Sequence, residues 1–147
     1  MQSFRSRTLL STTLLTLFAW SVFAADILDA NSASANEMAS LPHMTMALAD
    51  SIVASRPFEN IGELDELLSS TLDEEAREAL YAALFVPISL DNASNANIQL
   101  IPGVGSRMAH EFEEYRPYTS IEQFRREIGK YVDEAEVARL EQYVTLQ

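Results

Sequence analysis

The residues whose types and spacing point most directly to chemistry lie in one stretch, Ile101-Pro102-Gly103-Val104-Gly105-Ser106-Arg107-Met108-Ala109. Its two glycines permit backbone angles that other residues avoid, and they let a second backbone approach closely. The turn they form leads straight into a helix N-terminus. There, bare N–H groups and the positive end of the helix dipole face outward together. Such a site suits a phosphate. Val104 is expected to point back and anchor the loop, and Ala109 to keep two helices close. Arg107 stands in the first turn after the glycines, within reach of the same phosphate. The candidate binding residues are therefore Gly103, Val104, Gly105, Ser106 and Arg107.

Arg125, Arg126 and Lys130 form a second basic group. It reads either as a further phosphate contact or as a solvated helix face paired with Glu122 and Glu127. Other chemistries find little footing. The chain has no cysteine, so neither a disulfide nor a thiolate is available. His43 and His110 are the only histidines, and neither has a spaced partner that would complete a metal site. No Ser-His-Asp spacing and no P-loop is present. The carboxylates read as solvated helix faces, and Asn92-Ala93-Ser94, a glycosylation sequon by pattern, reads as part of a capping turn. No catalysis, cofactor or metal is expected.

The elements that position the glycine stretch come from an internal repeat. Shifted by sixty residues, the chain matches itself without a gap from Ala33 and Ala93 onward. Leu41-Pro42 falls on Ile101-Pro102, Arg56-Pro57-Phe58 on Arg116-Pro117-Tyr118, and Leu72-Asp73-Glu74 on Val132-Asp133-Glu134. Each copy predicts four short helices. Ser34 with Glu37 is a capping box that opens the first, and Pro42 and Pro102 close it. Asn60 with Glu63, and Ser120 with Gln123, are matching capping boxes for the third. The fourth is expected from about Asp73 or Asp133 to Leu84 or Val144, with acids in its first turn. No segment alternates with period two over strand length, so the expected fold is all-α, helix-turn-helix pairs packed on each other. Phe85-Val86-Pro87-Ile88-Ser89-Leu90 joins the copies. It is apolar, unlike a free linker, so the copies should pack as one compact domain with Phe85 and Ile88 buried.

Hydrophobic-Pro-Gly-hydrophobic-Gly with Ala four residues later resembles the core of the helix-hairpin-helix motif. With the approach Leu90-Asp91-Asn92-Ala93-Ser94 and the exit Tyr115-Arg116-Pro117-Tyr118, the chain is similar to the exported competence proteins of the ComEA family. The duplicated, exported form is also similar to PsbU, the extrinsic photosystem II subunit, which uses this fold to contact proteins. The resemblance implies one of two roles: non-specific binding of double-stranded DNA through the hairpin, with Gly103 to Arg107 as the DNA-binding residues, or docking onto another protein. It implies no enzymatic activity. The first copy departs from the motif. Its hairpin is Pro42-His43-Met44-Thr45-Met46, with His43 in place of Gly103 and Thr45 in place of Gly105. The close backbone approach should be compromised there, leaving a structural role.

Residues 1–24 read as a secretory signal peptide. Arg5 and Arg7 precede an apolar run from Leu9 to Ala19, and Val22-Phe23-Ala24 offers small residues for cleavage. An uncleaved N-terminal anchor is the alternative, though the run is short for a membrane span. Residues 25–88 then form the first unit and 89–147 the second. The mature protein is expected outside the cytoplasm, in the periplasm, with no membrane contact after cleavage.

Charge divides the copies and bears on both roles. The whole chain carries −12. Residues 26–88 hold twelve acids against Arg56 and Arg77, net −10, and residues 89–147 hold ten acids against six basic residues, net −4. Duplex binding draws most of its affinity from phosphate neutralisation, so an acidic protein should bind weakly and lose binding readily in salt. Glu111, Glu113 and Glu114 follow the hairpin and would repel a duplex. Backbone N–H groups carry no formal charge, however, and keep their pull on a phosphate in an acidic background. Weak DNA binding by the second hairpin, or docking onto another exported protein, are the two expectations.

Overall fold

The computed structural model describes residues 26–146, so the expected signal segment lies outside the described residues. These residues are mostly helical. In chain order they form β1 (Leu28–Asp29), α1 (Ala35–Ala39), α2 (Met46–Ser55), α3 (Ile61–Ser69), α4 (Glu74–Tyr81), β2 (Leu84–Phe85), β3 (Ile88–Ser89), α5 (Asn95–Ile98), α6 (Ser106–Glu114), α7 (Ile121–Ile128), α8 (Glu134–Glu141) and β4 (Val144–Thr145). No helix among them is long and apolar enough to cross a membrane.

The helix starts are set locally. Side chains of Ser34, Thr45, Asn60, Asp73, Ser94, Ser120 and Asp133 each accept a bond from the backbone N–H three residues on. Each satisfies a donor that a helix start otherwise leaves bare. Ser34 and Glu37 form the reciprocal box expected of them. At α3 and α7 the return bond lands one residue earlier: Glu63 accepts from the Glu59 N–H and Gln123 from the Thr119 N–H, both outside the cap residue itself. The expected boxes are thus half-formed, with the longer reach tying down the incoming chain.

The fold is mostly α, as expected, with two short strand pairs added among the described residues. β1 pairs with β2 and β3 with β4, both parallel, with Leu28 opposite Leu84 and Ile88 opposite Val144. Two-residue strands are too short to leave a period-two signature. Helix four also stops sooner than expected, at Tyr81 and Glu141, because Leu84 and Val144 leave the helix to join these pairs. Each strand pair closes a stretch of chain between its first and last elements.

Two arginines hold the irregular segments in place. The Arg56 guanidinium donates to the carbonyls of Ala30 and Ala33 at 2.6 and 2.5 Å. Sixty residues on, Arg116 donates to Leu90 and Ala93 at 2.6 and 2.7 Å. Asn31 accepts from the Phe58 N–H at 2.8 Å, and Asp91 accepts from the Tyr118 N–H at 2.7 Å. Turn carbonyls near a core must be paired, and charged donors do this at about twice the strength of neutral ones.

The core is continuous across the middle of the chain. Phe85, Val86 and Ile88 are buried, as expected for the apolar connection. The Phe85 ring meets Tyr81 edge-on at 5.9 Å and Tyr143 at 4.9 Å, so residues from before and after the connection share one aromatic cluster. On the other side, Phe112, Phe124 and Tyr118 pack together beneath α6 and α7.

Candidate functional site

The turn between α5 and α6 is built by short backbone bonds. Ile101 donates to Ile98 at 3.1 Å, and Val104 donates to Ile101 at 2.9 Å. Gly103 stands at φ +78, a left-handed conformation that favours glycine. Ile101 and Val104 are buried and hold the turn to the core, as does Ala109 on α6. Gly103, Gly105, Ser106 and Arg107 are exposed. The turn is thus a surface ridge with an apolar keel.

Gly105 is the N-cap of α6, and it leaves that helix as the one among the described residues without a side-chain cap. The first α6 N–H to find a backbone acceptor is that of Ala109, on the Gly105 carbonyl at 3.0 Å. The N–H groups of Ser106, Arg107 and Met108 therefore stand free at the positive end of the helix dipole. A Cβ on Gly105 would meet nothing within 4 Å. The glycine is not required by packing; its consequence is the open approach to those N–H groups.

Basic side chains elsewhere are already engaged. Arg125 pairs with Glu141 at 2.5 Å and with Glu122 at 3.8 Å. Arg126 and Lys130 both pair with Glu127. The Lys130 and Arg126 bonds hold the Glu127 carboxyl below its usual range, and the Arg125 bond does the same for Glu141. These three cations, the candidates for a second phosphate contact, thus face carboxylates. Arg77 is on Asp65, and Arg56 and Arg116 are spent on backbone carbonyls. Among the described residues, Arg107 alone of the arginines and lysines has no hydrogen-bond or ion-pair partner.

Two residues of the site were missed by the sequence pattern. Arg139, on α8, donates to the Pro102 carbonyl at 2.9 Å and to Glu136 at 2.6 Å, so it clamps the hairpin from a distance of 37 residues. A lone arginine late in a helix gives no hint of such reach. Glu111 is the other. Read along the chain it is a repelling surface acid; in the fold it is 9% exposed, and its carboxylate interacts with the Tyr131 hydroxyl. Its place between Met108 and Phe112 on the inward side of α6 was the available signal. Glu113 is tied to Asn95 at 2.8 Å, and Glu114 is exposed near His110.

The first hairpin keeps its shape despite its substitutions. His43 takes φ +62, the same left-handed region as Gly103, and Met44 donates to Leu41 as Val104 does to Ile101. Thr45, in place of Gly105, caps α2 by accepting from the Leu48 N–H at 3.2 Å. What the first hairpin lacks is the open helix end, not the turn.

No protein-family model matches the chain, and no curated protein or solved structure does either.

Proposed function

We propose that the protein is an exported, non-enzymatic member of the ComEA-like helix-hairpin-helix proteins, made of two copies of one unit, which binds double-stranded DNA weakly and without sequence preference through its second hairpin. The observation that carries this reading is the coincidence, at one exposed ridge, of the uncapped start of α6 and the unpaired Arg107. A backbone phosphate would take the free N–H groups and the Arg107 guanidinium together. Base edges play no part, so sequence is not read. With one or two phosphates neutralised, the logarithm of affinity should fall with the logarithm of salt at a slope of about −1 to −2. Fluorescence anisotropy with a labelled duplex at several salt concentrations tests it. Binding in low salt that disappears in Arg107→Glu supports the reading; no binding in low salt, or binding indifferent to that change, overturns it.

A docking role onto another exported protein is the second reading. It is favoured by α2, where Met46 and Val53, two turns apart, are 46% and 40% exposed on a helix whose partner face is buried. Recovery of a stoichiometric basic protein from an envelope fraction, with no duplex binding, would select this role.

A further inference from the structure

Given the duplex reading above, we infer that the cleft beside the second hairpin seats one unpaired nucleobase on the Tyr131 ring, so that a duplex with a single-stranded end is preferred to a blunt one. The cleft measures about 320 Å³ and is lined by Gly105, Arg107, Met108, Glu111 and Tyr131. Among the described residues Tyr131 is the one exposed aromatic ring, at 40%; the others are buried or half-buried. Its hydroxyl bonds to the Tyr115 hydroxyl at 2.8 Å and interacts with the Glu111 carboxylate. The ring is thus held by its far end and has little rotamer freedom left to lose on binding. Tyr115 is less available for stacking, because Lys130 Nζ lies over its ring at 4.9 Å.

The surroundings select the kind of ligand. Met108 adds an apolar lining, and the one acid of the cleft, Glu111, is 9% exposed and offers little charge to an occupant. Arg107 stands exposed on the rim with no partner of its own. An apolar cleft with an aromatic wall and a free guanidinium suits a flat ring that carries an anion, with the phosphate on Arg107 and the base on Tyr131. From Ser106 to Glu111, against which Tyr131 is tied, the helical rise is about 7 to 8 Å, close to the span between a phosphate and its own base. Inside a duplex, stacked neighbours cover both faces of each base. An unpaired base is free to turn out onto an aromatic side chain, whatever its sequence. The first copy has neither group: Ala47 stands in the place of Arg107, and Thr71 in that of Tyr131. Cation and ring occur together in the copy with the open helix end.

Fluorescence anisotropy in low salt, with a labelled blunt duplex and the same duplex carrying a short thymidine tail, tests the seat. The tailed duplex should bind about tenfold more tightly, within the usual worth of one base stacked on an aromatic side chain. A tail of abasic residues supplies the same phosphates without bases and should bind like the blunt end. That comparison uses the unaltered chain, so it needs no variant to fold. Tyr131→Leu removes the ring at an exposed position and should bring the tailed duplex down to the affinity of the blunt one, which itself stays unchanged. Tyr131→Phe keeps the ring and should keep most of the gain. Equal affinity for blunt and tailed ends, a gain that the abasic tail reproduces, or a gain that survives Tyr131→Leu overturns the seat and leaves the duplex reading standing. No binding of any of these in low salt overturns both.

Discussion

The Arg139 guanidinium donates to the Pro102 carbonyl at 2.9 Å, joining the last helix to the hairpin turn, while the same group is held by Glu136 one turn earlier on α8. The bond makes the position of the glycine turn depend on α8. It also explains how an exposed ridge made of small residues stays in one place.

Arg139→Met keeps the alkyl stem and removes the clamp. It should lower stability by about 1–2 kcal/mol, the worth of one partly exposed charged hydrogen bond, read from urea unfolding. Duplex affinity should fall severalfold with it, although Arg139 touches no phosphate in the proposed complex. Unchanged stability would show that the Pro102 carbonyl is equally well served by water.

Gly103→Ala tests the turn itself. The added Cβ meets only Arg139 Nη2 at 3.7 Å, an ordinary contact, so the cost comes from φ +78 alone. Roughly 1–2 kcal/mol of destabilisation is expected. His43→Gly is the converse. It relieves φ +62 but loosens the unfolded chain, so its net effect should lie within about 1 kcal/mol of zero. Thermal unfolding of both variants checks the pair.

Gly105→Thr copies the residue that caps α2. The site has open space for the side chain, and the threonine hydroxyl should cap α6 and raise stability by a few tenths of a kcal/mol. The same hydroxyl would occupy the N–H group offered to a phosphate. Stability and duplex binding should therefore move in opposite directions, measured by unfolding and by anisotropy on the same preparation. A variant that gains stability and keeps full binding would remove the helix end from the site.

Tyr118→Phe should stabilise the protein or leave it unchanged, by up to about 1 kcal/mol. The Tyr118 hydroxyl is buried without a partner, and burial pushes its pKa up, so the group sits desolvated and unpaid by any bond. Phe58 occupies the equivalent place sixty residues earlier. A loss of more than 1 kcal/mol, seen by urea unfolding, would mean that the hydroxyl has a water partner worth keeping.

The amino-acid pattern alone determined those helix starts that rest on a side chain three residues from the N–H it caps, with Ser34, Asn60 and Asp133 as examples; α6, whose N-cap is Gly105, has no such side-chain cap. It also determined the buried connection at Phe85 and Ile88 and the left-handed glycine at Gly103, which depend on local composition and backbone freedom. Tertiary structure decided what depends on distant partners. It drew Leu84 and Val144 out of helix four into parallel pairs, because Leu28 and Ile88 offered backbone partners there. It gave His43 the conformation of a glycine, since the surrounding turn holds the strain. It put Arg125, Arg126 and Lys130 against carboxylates, left Arg107 unpaired, brought Arg139 to Pro102, and turned Glu111 from a surface acid into a buried one. Charges along a chain show their number and sign; which of them remain available for a ligand is settled only when the chain chooses their neighbours.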